Sequence, residues 1–255
     1  MMIMLTEKIL NPLGELLREK EIIARCELLL RIYDIVASAK LSETEKKELS
    51  EAVGEKIAPG IFAAMMGKDP VTFDLPKLDT YTQMGGRIFH FLHTRRYSKQ
   101  DFANANSLFL RSLPELKAIL ARCLSDRMLQ FMLNAGYSLT GEAKGELDFS
   151  AEKHRVKAFI STSVRSLDVD RYNPEQGTDC IILVPSSETL EPFVQFFREK
   201  GQAAEEKGLQ IWIYNLEKGT VDPYIGYTTD LDIYNQFDNP RLAEMVRSNW
   251  SQREE

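Results

Sequence analysis

The reading of this 255-residue chain turns on one stretch: Gly145-Glu146-Leu147-Asp148-Phe149-Ser150, then Ala151-Glu152-Lys153-His154, then Arg155-Val156-Lys157-Ala158-Phe159-Ile160-Ser161-Thr162-Ser163. It reads as two strands joined by the polar turn 151–154. Asp148 stands between Leu147 and Phe149, and under period-two geometry it shares a strand face with Glu146. A lone acid flanked by large apolar residues is either the solvent-facing acid of a half-buried hairpin or an acid placed for chemistry. At this point both readings stand.

Working outward towards the C-terminus, Arg165 to Thr178 is polar and reads as a loop. Asp179-Cys180-Ile181-Ile182-Leu183-Val184 is a β-branched run ending at Pro185, the mark of a strand buried on both faces. Ser186-Ser187-Glu188 predicts a cap for a helix carrying Leu190, Phe193, Val194, Phe196 and Phe197, and Gly208 stops it. Leu209 to Tyr214 alternates as a strand, a further strand is expected around Tyr224–Tyr227, and Asn239-Pro240 opens a helix through Trp250.

Towards the N-terminus, Ser112-Leu113-Pro114-Glu115 predicts a helix start with an apolar face through Met132 and a stop at Asn134-Ala135-Gly136. Residues 87–93, Arg-Ile-Phe-His-Phe-Leu-His, read as a helix. They are followed by the basic turn Arg95-Arg96-Tyr97 and a capped start at Ser98 with Asp101. That outline matches a helix-turn-helix, with Arg95, Arg96 and Lys99 as candidate nucleic-acid contacts; plain helical packing, common to most helical domains, is the simpler reading of the same residues. Residues 69–84 read as a loop. Ser42 with Glu45 forms a capping box for a helix through roughly Ile57, broken by Pro59-Gly60, and residues 7–39 carry helical spacing. The expected fold class is therefore α+β or α/β. A helical region, 1–111, precedes a mixed-sheet domain, 112–255.

Composition narrows the function classes. Hydrophobic residues make up 44% and charged residues 27% of the chain, as in an ordinary globular protein. No apolar run approaches the ~18 residues that span a bilayer, and the apolar start Met1–Leu5 is too short for a signal peptide. A cytoplasmic location and no membrane partner are expected. Cys26, Cys123 and Cys180 form no paired metal or disulfide spacing and read as buried thiols. The net charge of −6 is uneven: residues 1–136 carry 19 basic and 17 acidic groups, residues 137–255 carry 13 and 21, and residues 85–136 carry eight and three. An acidic protein is a poor general binder of the phosphate backbone, whereas the local basic segment leaves specific contact open.

From Ser112 onward the order helix, hairpin-connected strands, buried strand, helix, strand, with Gly145-Glu146-Leu147-Asp148-Phe149 leading into the hairpin, resembles the PD-(D/E)XK nuclease superfamily, the restriction-endonuclease-like fold. The resemblance covers roughly residues 112–227. It implies that Asp148 corresponds to the family's metal-binding acid and that the next strand should end in E-x-K, the acid completing a divalent-metal site and the lysine positioning water. At that place this chain has Ser161 for the acid and Ser163 for the lysine. The resemblance then implies a degenerate site and a role in DNA binding or DNA processing without cleavage. A module that binds a protein partner through its acidic C-terminal half is the alternative. A third reading is an active magnesium-dependent endonuclease with a rearranged site using Asp148, Glu146 and Lys157. Whether the chain is an enzyme, and its oligomeric state, stay open in the sequence.

Overall fold

A computed structural model of the protein describes residues 6–67, 78–84, 87–93, 95–152, 154–186 and 191–222. The chain is α+β, a helical N-terminal region followed by a mixed six-stranded sheet. It divides into two compact units, Met1–Ile119 with Glu217–Gly219, and Leu120–Leu216 with Thr220–Glu255.

In the first unit a π-helical turn, Thr6–Leu10, runs into α1 (Asn11–Glu19), followed by β1 (Ile22–Ala24), α2 (Arg25–Ser38), α3 (Glu43–Val53) and α4 (Ile57–Met66). The capping box at α3 forms as expected: Glu45 N–H donates to Ser42 Oγ at 3.3 Å and Ser42 N–H to Glu45 Oε2 at 2.7 Å. The helix stops earlier than Pro59-Gly60, at Gly54, whose φ of +93° suits only glycine. Pro59 instead sits in the first turn of α4, where no intrahelical N–H is required. Gly60 is needed for close approach, because a Cβ there would lie 1.9 Å from the Val53 carbonyl oxygen.

The expected helix over 87–93 is a strand. β2 (Leu78–Met84) and β3 (Arg87–His93) pair antiparallel, and β1 joins the other edge of β3 through Ile22↔His93, Ile23↔Leu92 and Ala24↔Phe91. Short apolar runs do not separate helix from strand by period. Aromatic and branched residues suit a pleated surface once a second apolar strand is available, and Phe91 and Leu92 are both buried, Phe91 packing edge-to-face on Phe109 at 6.2 Å. The basic Arg95-Arg96 segment thus follows a strand, and the first helix of the helix-turn-helix outline does not exist. The loop expected over 69–84 is likewise a strand from Leu78 on; residues 69–77 lie outside the described residues.

α5 spans Lys99–Asn134 without the break expected at Ser112. Pro114 removes one helical donor, whose acceptor would be the carbonyl of Leu110, a well-exposed residue open to water. Ser112 Oγ, expected to cap, donates back to Phe109 O at 2.8 Å. The cap expected at Ser98 does form: its hydroxyl accepts from Asp101 N–H at 3.3 Å and its N–H donates to Asp101 Oδ2 at 2.8 Å. The division between the two units falls between Ile119 and Leu120, inside this helix. Beneath its first half, buried Glu27 takes Lys20 and Ser112 Oγ (3.4 Å), while Arg31 clasps Glu115 at 2.5 and 2.7 Å.

The second unit holds β4 (Ser138–Ala143), β5 (Glu146–Ala151), β6 (His154–Ile160), β7 (Thr178–Pro185), α6 (Glu191–Glu206), β8 (Leu209–Asn215) and β9 (Thr220–Asp222), in sheet order β4-β5-β6-β7-β8-β9. β4, β5 and β6 form an antiparallel meander; β7 lies parallel to β6 and β8 parallel to β7; β9 is antiparallel to β8. The expected loop 165–178 contains two single turns of 3₁₀ helix, Val164–Ser166 and Val169–Arg171, which bury Val164, Leu167 and Val169. Together with Phe193, Phe196 and Phe197 of α6 they cover one face of β7 and β8, on Cys180, Ile182, Val184, Leu209, Ile211 and Ile213. The second half of α5 covers the opposite face, where Phe131 meets Trp212 edge-to-face at 5.6 Å. The cap expected at Ser187-Glu188, the strand expected near Tyr224–Tyr227 and the helix expected over 239–250 lie outside the described residues.

Candidate functional site

Directly opposed residues of neighbouring strands share a face. One row therefore crosses the sheet as Gly141, Asp148, Lys157, Cys180 and Leu209. The next row of the same face holds Ala143, Glu146, Phe159, Ile182 and Ile211. Glu146, Asp148 and Lys157, which the sequence singles out together, are thus brought together on the part of the sheet that lies outside the cover of α6 and the 3₁₀ turns. Lys157 Nζ is 3.4 Å from Glu146 Oε2, with both side chains partly exposed, and it sits 5.7 Å from the centroid of the Phe159 ring. The hydrogen bond to Glu146, reinforced by the charges of Asp148, Glu146 and Glu175, raises the Lys157 pKa above its ordinary value. A lysine held as a cation in this way is an electrostatic anchor and a poor proton acceptor.

Asp148 leans the other way. A Cβ built on Gly141 would lie 2.9 Å from Asp148 Oδ2, so the carboxylate occupies the space that only a glycine on β4 leaves open. A β-bulge at Thr140 accompanies this approach; Thr140 Oγ1 donates to the backbone oxygen of Asp148 at 3.2 Å.

Ser161 and Ser163 stand apart from this cluster. Asp148 faces Lys157, and Ser161 follows four residues later, about 13 Å along an extended chain. Both serines serve the crossover that leaves β6. Ser161 N–H donates to Leu183 O at 2.9 Å and its hydroxyl to Ser163 O at 3.1 Å, while Ser163 Oγ accepts from Arg165 N–H at 3.2 Å and opens the first 3₁₀ turn. The donor set at Asp148 is two carboxylates with an ammonium bonded to one of them, which does not fit a magnesium ion that needs several oxygen ligands. Among the described residues no three His, Cys, Asp or Glu side chains group so as to hold a metal.

Arg95, Arg96 and Lys99 belong to the first unit. Arg95 is committed to its neighbours: Nη2 reaches Glu21 at 3.1 and 3.3 Å, Nε reaches Tyr97 Oη at 3.1 Å, and the guanidinium lies 5.0 Å from the Tyr97 ring centroid. The bond to Tyr97 and then that to Glu21 raise its pKa further. Arg96 and Lys99 are exposed.

Sequence reasoning passed over a second polar constellation. Tyr137 Oη lies 3.1 Å from His154 Nδ1, and His154 Nε2 lies 3.3 Å from Asp179 Oδ2. In the tautomer with the ring proton on Nε2, facing the Asp179 carboxylate, Nδ1 accepts a hydrogen bond from the Tyr137 hydroxyl. This chain of bonds ties the residue before β4 to the first residues of β6 and β7. No local spacing could have announced it, since its members come together only through sheet pairing. Cys123 and Cys180 are buried thiols whose pKa values desolvation pushes up to about 12, the opposite of an activated nucleophile.

Comparison with known proteins gives one family: a model described as "Domain of unknown function (DUF6834), C-terminal domain" matches residues 142–239. Its match begins within β4 and takes in β5 to β9. No curated protein matches the chain. No described helix is long and apolar enough to cross a membrane.

Proposed function

We propose that the chain is a non-catalytic binding protein whose sheet unit retains a nuclease-like scaffold and engages a protein partner. The order α5, antiparallel meander β4-β5-β6, parallel β7, α6, parallel β8 supports the scaffold half of this reading. The observation that carries the non-catalytic half is the strand register: Asp148 stands opposite a lysine that Glu146 already holds, and the positions expected to complete a metal site are engaged in a turn. A cation in that place opposes metal binding by direct repulsion. Protein is favoured over DNA as the partner class because residues 137–255 carry 13 basic against 21 acidic groups. The basic residues near 95–99 follow a strand, with Arg95 bonded to Glu21 and Tyr97.

Incubation with supercoiled plasmid in magnesium or manganese, together with filter retention of duplex DNA at low salt, tests both halves. Neither nicking nor retention is expected. Metal-dependent nicking that disappears in Asp148→Ala overturns the non-catalytic half. Retention that weakens steeply with salt and is lost in an Arg96→Ala/Lys99→Ala variant overturns the choice of partner.

A further inference from the structure

We propose that the outer edge of β4 takes up an extended peptide with basic residues alternating with apolar ones, adding it as a further strand to the sheet. The inference rests on the reading of the chain as a protein-binding module and assigns that binding to one place.

Two residues, 152 and 153, separate the closing pair Ala151↔His154 of the β5–β6 hairpin, so 151, 149 and 147 point their N–H and C=O groups at β6; the bond from Ile160 N–H to Gly145 O at 2.8 Å continues that series. The alternate residues Glu146, Asp148 and Ser150 therefore point theirs at β4 and bond with Ala143, Gly141 and Ser138. On β4 this leaves the N–H and C=O groups of Leu139 and Glu142 directed outward. Among the described residues β4 pairs on this one side alone, and both residues are exposed, Leu139 by 37%. Unpaired strand edges are templates for strand addition, which supplies affinity through main-chain bonds and specificity through alternate side chains.

Charge and shape then select the strand. On one face the carboxylate of Asp148 leans over Gly141 towards the edge, while Lys157 lies on the far side of Asp148 and bonds Glu146. An added strand would stand about 4.8 Å beyond β4. The long flexible stem of a lysine or arginine facing Gly141 passes over the glycine to that carboxylate, a path any side chain at 141 would obstruct. On the other face the neighbouring positions of the peptide meet exposed Leu139, which favours apolar residues. Glu142, set opposite Leu147, stands on this same Leu139 face, so the carboxylate that the basic residues meet is that of Asp148. The edge thus selects an alternating basic and apolar strand and disfavours an acidic one.

The test is residue-resolved amide hydrogen exchange on the full chain, with an octapeptide alternating valine and lysine and with its valine–glutamate counterpart. The proposal expects several-fold slower exchange of the Leu139 and Glu142 amides with the lysine peptide alone. Glu142→Pro, which removes an outward donor on an edge where proline is tolerated, should abolish binding, and Asp148→Asn, which removes the charge over Gly141, should weaken it several-fold. Equal protection by both peptides, protection elsewhere in the sheet, or binding indifferent to Asp148→Asn would overturn the proposal. Protection that appears without peptide as protein concentration rises would assign the edge to a second copy and overturn it likewise. The cleavage and retention assays judge the binding-protein reading, whereas exchange judges this edge.

Discussion

The two ends of a single row of the sheet differ although they share one strand geometry. Gly141, Asp148 and Lys157 form the open end; Cys180 and Leu209 form the covered end, both 2% exposed or less. The strand geometry is the same throughout, and what differs is the layer above. Over β7 and β8, α6 and the 3₁₀ turns exclude water, so only apolar groups and a neutral thiol are tolerated. Over β5 that layer has ended, and charges can be paired loosely and solvated. An acid in an apolar strand thus marks the place where the cover stops.

The largest effect is expected from damage to the covered end. Ile182→Ala removes a fully buried side chain beneath Phe193 and Phe196 and should cost about 2–5 kcal/mol in urea unfolding. A cost below that of a surface substitution would mean the cover is loose.

Alkaline pH comes next. Burial raises the Cys180 pKa from 9.0 to about 12, against the lowering influence of Lys157. The folded state thus holds its thiol proton more tightly than the unfolded chain. Stability is full below about pH 9 and falls as pH rises towards 12. Cys123 adds in the same sense. Replacing both cysteines by alanine should flatten this slope relative to the parent; an unchanged slope would place the loss elsewhere, for instance in Lys157, whose raised pKa acts in the same direction.

At the open end the effects shrink. Gly141→Val forces Asp148 to give way and should cost about 1 kcal/mol, a cost that Asp148→Ala relieves in a double-mutant cycle. Additive costs would show that the carboxylate does not lean over the glycine. Lys157→Ala breaks a partly exposed pair and should cost only about 0.2–1 kcal/mol, less at high salt. A cost as large as that at Ile182 would erase the distinction between the two ends.

Much of this was legible in the sequence and some was not, for physical reasons. The β5–β6 hairpin, the β7 run and the capping boxes at Ser42 and Ser98 depend on residues within a few positions of each other, and local chemistry settles them. The strand 87–93 depends on Ile22–Ala24, about seventy positions away, and nothing within the window 87–93 reveals that pairing. Pro114 costs a helix less where its missing donor leaves an acceptor open to water, and solvent exposure at Leu110 is a property of the fold. For the site, period two put Glu146 and Asp148 on one face. It could not supply the register that sets Lys157 against Asp148 and carries Ser161 four residues beyond.

Asp148 and Glu146 of β5 and Lys157 of β6 form an ion cluster on the open part of the sheet that holds no metal. Manganese titration followed by electron paramagnetic resonance tests it most directly. The account predicts no saturable binding tighter than about 1 mM, the weak end of carboxylate sites, and no change in Asp148→Ala. Micromolar binding that is lost in Asp148→Ala would contradict it.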